Sequence, residues 1–300
     1  MFSYSQKLKS SQLIQPIFIE EGLKSPKIIK GLGQNYSHTP KSAKKMIESD
    51  LKRGVKNFIF FIVPKKKQSR PQNFDFHYKS LSNIKKKFGK RIIMIVDTCL
   101  CSITTDGHCG ITRHNKINLK ETHKSLGLAA LTFINAGADI IAPSDMMKGT
   151  TKYLKSLFNK KKIKTPIMSY STKFFSSFYG PFRNAAKSSP KKFDRSSYQL
   201  PVNNRKKALQ SSITNAKQGA SFLMVKPGIT SIDLIRDIKN KTKLPTGAYQ
   251  VSGEFASLQF LSKHKLGDFK KLYKESLTAI HRAGANFIIT YGARDIAKDL

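Results

Sequence analysis

The sequence predicts an α/β protein with the (β/α)8, or TIM-barrel, architecture. Eight short apolar runs recur along the chain, and they are apolar at both parities, which is typical of strands covered on both faces in a parallel sheet. The phrases AGADIIAPS, QGASFLMVKPG and AGANFIITYG repeat one device, in which a glycine ends a helix and a tight turn leads into a strand. Eight strand–helix units in 300 residues favour a barrel. The rival fold is a doubly wound open sheet, but the sequence lacks the GxGxxG turn common in that fold.

Each element follows from a local pattern of apolar residues. The eight predicted strands are 13–20, 57–63, 92–99, 140–145, 166–171, 222–228, 246–252 and 287–292. Helical spacing of apolar residues predicts helices over 42–53, 123–136, 203–217, 232–240 and 269–282. We therefore expect a short N-terminal arm, 1–12, followed by a single catalytic domain, 13–300. The long connection after the fifth strand, about 174–202, is typical of a lid over a barrel mouth.

The charge of the chain is strongly basic, with 55 Lys and Arg against 18 Asp and Glu and a net charge of +37. Such a charge attracts nucleic acid, anionic membranes or anionic small molecules. The lysines are scattered, however, and do not alternate with aromatic residues as in a base-stacking surface. Compositional drift with incidental nucleic-acid affinity is therefore favoured over a dedicated nucleic-acid binder. No apolar run approaches the roughly 18 residues that span a membrane, and the N-terminus lacks the apolar core of a signal peptide, so a cytoplasmic protein is expected.

All three cysteines of the chain, Cys99, Cys101 and Cys109, lie in the segment DTCLCSITTDGHCG at the end of the third predicted strand. A group of three thiolates at a strand end suits a metal such as Zn²⁺ and leaves a fourth position open for chemistry. The alternatives are three structural cysteines, or a disulfide with one free thiol. The spacing favours the metal site. His108, beside Cys109, is expected to contact the ligands rather than bind the metal.

Polar groups follow the apolar runs at several strand ends, where barrel enzymes place their catalytic residues. Lys226 lies inside the apolar segment LMVKPG, and Lys173 follows the fifth strand among aromatic residues. A desolvated lysine, or one near a second cation, has a lowered pKa and attacks carbonyl groups. In the predicted lid, Arg183 and Arg195 suggest capture of a carboxylate or phosphate.

Six ordered motifs resemble the porphobilinogen synthase (5-aminolevulinate dehydratase) family, and the similarity covers nearly the whole chain. The motifs are DTCLCSITTDGHCG, GADIIAPSDMM, MSYSTKFFSSFYGPFRNAA, DRSSYQLP, LMVKPG and AYQVSGEF. The resemblance implies the asymmetric condensation of two 5-aminolevulinate molecules to porphobilinogen in tetrapyrrole and heme biosynthesis. It also implies a catalytic zinc ion held by the three cysteines.

The resemblance further implies roles for individual side chains. Lys226 and Lys173 correspond to the two lysines that hold the two substrates, with Lys226 forming a Schiff base. The lid residues Arg183, Arg195 and Gln199 match residues that hold one substrate carboxylate, and Ser252 and Tyr291 match those that hold the other. Asp97 and Ser144 match groups near the substrate amine, and Asp145 matches a nearby polar wall.

Two departures from the family pattern concern regulation and assembly. Ser211 stands where many members carry the glutamate of an allosteric magnesium site, which argues against allosteric Mg²⁺ here. The family forms octamers through N-terminal arms that wrap neighbouring subunits. Because the arm here spans only residues 1–12, a homo-oligomer is expected without the octamer being implied.

Two other functions fit parts of the sequence. A Schiff-base barrel aldolase would need one reactive lysine and no metal. A decayed, lysine-rich protein that binds nucleic acid would show salt-dependent binding and no turnover.

Overall fold

A closed ring of eight parallel strands forms the centre of the molecule, which confirms the predicted barrel. A computed structural model describes residues 2–191 and 193–300. The barrel strands, numbered here in chain order, are β1 Leu13–Glu20, β2 Asn57–Val63, β3 Ile93–Thr98, β4 Ile140–Pro143, β5 Met168–Lys173, β6 Phe222–Lys226, β7 Thr246–Tyr249 and β8 Ile288–Ile289. Nearly all of their residues are buried, as strands covered on both faces require.

The strands are adjacent in the order β4-β3-β2-β1-β8-β7-β6-β5. The ring closes between β4 and β5 through a single parallel bridge that pairs Ile141 with Ile167. There the Ile141 N–H donates to the Pro166 carbonyl at 3.1 Å. The β4–β5 seam therefore has the fewest backbone-paired residues in the ring.

Helices surround the ring and connect successive strands. They are α1 Pro40–Lys52, α2 Asp75–Phe88, α3 Leu119–Asn135, α4 Thr150–Lys160, α5 Gly180–Ala185, α6 Arg205–Lys217, α7 Asp233–Thr242, α8 Ser252–Lys263, α9 Phe269–Arg282 and α10 Ala293–Ile296. Gly137 and Gly219 follow α3 and α6 with φ of +98° and +97°, where only glycine is free of strain. The repeated glycine device of the sequence is thus present in the structure.

Five helices, α2, α4, α5, α8 and α10, lie where no helix was predicted. In α4, Leu154 and Phe158 are buried and Tyr153 and Leu157 pack against the core, so this helix has an apolar face that the sequence reasoning missed. Strand ends also differ: β7 stops at Tyr249, and Ser252 is the first residue of α8 rather than the end of a strand. Lys173 is the last residue of β5 and not a loop residue.

The N-terminal segment packs against the barrel of the same chain, at the end where the strands begin. The ring of Phe2 is buried and lies 5.5 Å from Phe222 and 5.0 Å from Phe287, measured between ring centroids. The Gln12 side chain donates to the carbonyl of Asn286 at 3.3 Å. Among the helices of the described chain, none combines the length and apolarity needed to cross a bilayer.

Candidate active site

A β-bulge in β5 directs Lys173 into the barrel. Between the pairs Ser169–Leu223 and Thr172–Val225, β5 contains one more residue than β6. Ser171 and Thr172 consequently both point outward, and both hydroxyls bond to Ser212 of α6, at 2.7 and 2.8 Å. In a regular strand, residues 170 and 173 would face opposite sides, because side chains alternate. With the bulge, the Lys173 Nζ lies 5.7 Å from the centre of the Tyr170 ring, inside the barrel.

Lys226 is the register partner of Lys173 on the neighbouring strand, so the two amines lie side by side at the carboxyl ends of β5 and β6. Both side chains are at most 5% exposed. The Lys226 Nζ is enclosed by four aromatic rings, which we call the aromatic cage. It lies 4.1 Å from the centroid of Tyr249, 4.9 Å from Phe182 and 5.2 Å from both Tyr170 and Tyr179.

The aromatic cage changes the acidity of the enclosed amine. Burial removes the ammonium from water, and the nearby charge of Lys173 repels it, so the pKa of Lys226 falls from 10.5 to about 7. A much larger fraction of the molecules then carries a neutral amine at pH 7 than for an ordinary lysine. Lys226 can therefore act as a nucleophile at neutral pH.

Lys173 faces the polar side of the mouth, near Asp97 and Ser144. Its Nζ donates a 2.5 Å hydrogen bond to the carbonyl of Ser144, just beyond β4. Burial raises the pKa of Asp97 to about 6, and the charges of Lys173 and Lys226 oppose that rise. Among the described residues, Oδ1 of Asp97 has no hydrogen-bond partner. A carboxyl group near neutrality thus lies close to both amines and can carry a proton.

The three cysteines converge as the sequence indicated. Their sulfurs lie within 4.8 Å of one another, and all three side chains are buried. Cys99 and Cys101 approach to 3.4 Å between sulfurs, well beyond the roughly 2.05 Å of a disulfide, and all three thiols are free. The disulfide alternative is therefore wrong for this structure, and the cluster can hold a metal ion.

Hydrogen bonding divides the protons unequally among the three sulfurs. Bonds from the thiols of Cys101 and Cys99 hold the pKa of Cys109 well below its ordinary value, and the Arg195 guanidinium adds to this effect. The same bond to Cys109 raises the pKa of Cys101 to about 11. One thiolate is thus already favoured without a cation, and a bound metal would favour the thiolate form of the others.

His108 lies beside the cysteine cluster, but its side chain contacts residues of the lid. Its ring stacks on Phe193 with centroids 3.8 Å apart, and Nδ1 lies 3.2 Å from the hydroxyl of Tyr198. The group of potential metal ligands contains the three cysteines and does not include His108.

The lid is folded over the barrel mouth and holds three polar side chains with unused hydrogen-bonding groups. Buried atoms without a partner in the described part of the chain include Nε of Arg183, Nε of Arg195 and both amide atoms of Gln199. Arg195 also donates through Nη2 to the carbonyls of Gly107, at 3.0 Å, and Ser188. Unpaired donors of this kind at a closed mouth are suited to an anionic ligand.

Ser252 and Tyr291 follow β7 and β8 at the mouth, and their hydroxyls are already in use. The Ser252 hydroxyl accepts from the Phe182 N–H at 3.1 Å and donates to the Phe178 carbonyl at 3.3 Å. The Tyr291 hydroxyl accepts from that of Tyr249 at 3.0 Å. A carboxylate bound here would have to exchange these contacts for its own.

Asp145 is directed into its own loop rather than toward the lysines. Its Oδ2 accepts from the Met147 N–H at 2.9 Å and the Thr150 hydroxyl at 2.6 Å. Burial raises its pKa to about 6, and those hydrogen bonds oppose the rise. Asp145 therefore shapes the wall beside the cysteine cluster.

A groove of about 910 Å³ lies outside the mouth, between the loop after β4, helix α6 and the lid. Ser211 lines it, and the Ser211 hydroxyl donates to the Ser171 carbonyl at 2.6 Å. Of the described residues that line the groove, Asp145 is the only acid, whereas Lys116, Lys148 and Lys207 are all basic. Ser211 thus offers a hydroxyl at the position where the family resemblance implies the glutamate of a magnesium site, and the absence of allosteric Mg²⁺ stays a prediction.

The sequence reasoning missed the aromatic cage. Its rings come from β5, the lid and β7, so no single motif contains it. The available signal was Tyr249 in AYQVSGEF, because the alternation of side chains along that strand directs its ring into the barrel. Its strand, β7, is two strands away from β5, which carries Lys173. Phe182, in the lid motif YGPFR, carried no signal that it would reach Lys226.

Comparisons with known proteins agree with this geometry. The sequence model described as "Delta-aminolevulinic acid dehydratase" matches residues 2–299. A delta-aminolevulinic acid dehydratase of Helicobacter pylori is 40% identical over 97% of this chain and 92% of its own, and that of Bacillus subtilis is 37% identical over 97% and 91%. The crystal structure of the Toxoplasma gondii enzyme with its product porphobilinogen has a TM-score of 0.94 at 30% identity, covering 98% of this chain and 86% of that one.

These matches favour neither the aldolase nor the nucleic-acid hypothesis, and they confirm the resemblance first drawn from the motifs. The matches span almost the entire chain, and the Toxoplasma gondii structure shares its fold. This chain therefore belongs to the delta-aminolevulinic acid dehydratase (porphobilinogen synthase) family.

Proposed function

We propose that this protein condenses two molecules of 5-aminolevulinate to porphobilinogen through imines on Lys226 and Lys173. One carbon–carbon and one carbon–nitrogen bond form, and two molecules of water leave. The observation that carries the proposal is the register pair of buried amines, Lys173 and Lys226, in one closed pocket. An imine withdraws electrons from the neighbouring carbon and so prepares it for bond formation.

Lys226 is the amine that attacks first. Its pKa of about 7 supplies the neutral form, and the aromatic cage keeps out water that would hydrolyse an imine. Asp97, with a pKa raised to about 6 by burial, takes up and returns protons near both amines. Ser144 fixes the position of Lys173 through its carbonyl.

Two groups of side chains orient the substrates. Arg183, Arg195 and Gln199 offer the lid's unpaired donors to one substrate carboxylate. Ser252 and Tyr291 receive the other. Holding two identical anions in different orientations makes the condensation asymmetric.

The metal in the cysteine cluster is proposed to be zinc. Sulfurs about 2.3 Å from a tetrahedral zinc ion lie about 3.8 Å from each other, which agrees with three sulfurs within 4.8 Å of one another. Zinc held by Cys99, Cys101 and Cys109 would supply Lewis acidity next to the substrate on Lys173. A homo-oligomer and a cytoplasmic location are proposed on the family resemblance and on three free thiols, which persist in a reducing compartment.

The test is an assay of porphobilinogen formation from 5-aminolevulinate, with and without added zinc. Borohydride reduction in the presence of substrate, followed by peptide mass spectrometry, should locate an adduct on Lys226, and the proposal also allows one on Lys173. Absence of product under both conditions would contradict the proposed activity, and turnover unaffected by metal removal would contradict the zinc assignment alone.

A further inference from the structure

Glu254 is a buried acid outside the set of substrate-binding residues, and its carboxylate accepts four backbone N–H groups. Oε1 accepts from Ile229 at 2.8 Å and Thr230 at 3.1 Å. Oε2 accepts from Val251 at 2.8 Å and Gly228 at 3.3 Å. The side chain is 4% exposed.

Only one of these four bonds is that of an ordinary helix cap. A glutamate three residues into a helix commonly accepts from the residue before the helix, and for α8 that residue is Val251. The other three donors belong to the loop that follows β6, where a short 3-10 helix leads to α7. One carboxylate therefore joins the loop after β6 to the start of α8.

We infer that Glu254 is a positioning residue that fixes the end of the Lys226 strand and the lid's docking site in one rigid unit. The inference rests on the proposed function. Glu254 is connected to Lys226 first through the loop after β6. The Gly228 N–H, which bonds to Glu254, lies only two residues beyond Lys226. A shift of this loop would displace the amine within its aromatic cage.

Glu254 is connected to Lys226 a second time through the lid, which contacts the first residues of α8. The hydroxyl of Ser252 bonds to the N–H of Phe182 and to the carbonyl of Phe178. At Gly253 a Cβ would lie 2.7 Å from the carbonyl oxygen of Phe178, so the lid rests directly on the backbone there. Phe182 then brings its ring to 4.9 Å from the Lys226 Nζ. Both sets of contacts, through the loop after β6 and through the lid, therefore lead from Glu254 to Lys226.

A carboxylate is the group that this position requires. Two oxygens with about four lone-pair sites can accept four N–H donors. A glutamine would turn an NH₂ group toward two of those donors, leaving them unsatisfied and in repulsion. An aspartate keeps the charge, but its shorter side chain cannot reach both backbone segments.

The experiment compares Glu254→Gln and Glu254→Asp with the wild type and with Glu275→Gln, which removes the same charge from an exposed position on α9. For each protein, borohydride trapping of 5-aminolevulinate on Lys226 is measured against pH, together with kcat, KM and the folded fraction by circular dichroism. We expect Glu254→Gln to lower kcat by at least about tenfold, since small misplacements of reacting groups are costly. The pH midpoint of trapping should move upward in Glu254→Gln as the amine leaves its cage. The midpoint of Glu254→Asp should lie between those of the wild type and Glu254→Gln.

A purely structural role would give a different pattern. It would reduce the folded fraction but leave the pH midpoint of the folded molecules unchanged, and that outcome would overturn the inference. If Glu254→Gln does not fold, the midpoint of Glu254→Asp decides in the same way. Failure of the wild type to form any adduct would contradict the proposed function instead, so the two failures are distinguishable.

Discussion

The two sides of the barrel mouth hold similar lysines in very different surroundings. On the β6–β7 side, Lys226 is enclosed by four aromatic rings. On the β3–β4 side, Lys173 bonds to the carbonyl of Ser144, and Asp97 and the cysteine cluster line the wall. An apolar pocket and a polar pocket thus meet between neighbouring strands.

This difference explains how one site could treat two identical substrates differently. A ketone reaching Lys226 meets a neutral amine away from water, whereas a ketone reaching Lys173 meets charged and metal-binding groups. The chemical roles would then be assigned by the protein and not by the substrates. The predictions below remove one side or the other, or move the boundary between them.

The largest effect is expected for Lys226→Arg. A guanidinium keeps the positive charge but cannot form an imine, so turnover should fall at least about a thousandfold, as for other covalent nucleophiles. Borohydride should then trap no substrate on residue 226. Lys164→Arg, at an exposed position, is the matched control and should react like the wild type.

Lys173→Arg should separate the two sides. Product formation should fall at least about a hundredfold because the second substrate is no longer held in place. The adduct on Lys226 should nevertheless persist, since the aromatic cage is unchanged. Loss of that adduct would show that the two lysines do not act independently in binding.

The fold, and the presence of two lysines and three cysteines at the barrel mouth, were largely predictable from the sequence. Buried parallel strands read as continuous apolar runs, so a lysine in LMVKPG was conspicuous. The cysteines were conspicuous because the rest of the chain contains none. Both signals are local, and local signals survive without knowledge of tertiary structure.

The geometry of Lys173 and the surroundings of Lys226 were not predictable in this way. The β5 bulge exists only relative to β6, and strand register is a property of pairs of strands. The aromatic cage combines rings from separate elements. Helix α8 carries little apolar periodicity because two of its three buried residues, Ser252 and Glu254, are polar.

Removing one thiol should affect the polar side selectively. Cys109→Ser should reduce bound zinc well below one per chain, measured by elemental analysis, and lower turnover by about a hundredfold. Ser102→Ala, between two ligands in sequence, should retain both metal and turnover. Full metal occupancy in Cys109→Ser would contradict the three-thiolate site.

A smaller effect is expected at the lid. Arg183→Lys keeps the charge but loses the planar pair of donors that suits a carboxylate, so KM should rise about tenfold with a lesser change in kcat. Arg282→Lys, exposed at the end of α9, should leave KM unchanged. A fall in kcat alone would indicate that Arg183 acts on chemistry and not on substrate capture.

The smallest change tests the aromatic cage itself. Lys226 attacks as the neutral amine, so its reaction rate should rise with pH and level off above its pKa, near 7 in the wild type. Phe182→Ala admits water beside the Nζ, and hydration favours the ammonium, so the midpoint of borohydride trapping should move toward the ordinary lysine value of about 10.4. At pH 7 the first unit of that shift would lower the neutral fraction about fivefold and each further unit about tenfold, whereas trapping at high pH would recover. Phe175→Ala removes an equal ring from an exposed lid position and should leave the midpoint in place.

If both variants kept a midpoint near 7, repulsion from Lys173 would have to lower the pKa of Lys226 without help from the cage, and Lys173→Met should then raise that pKa.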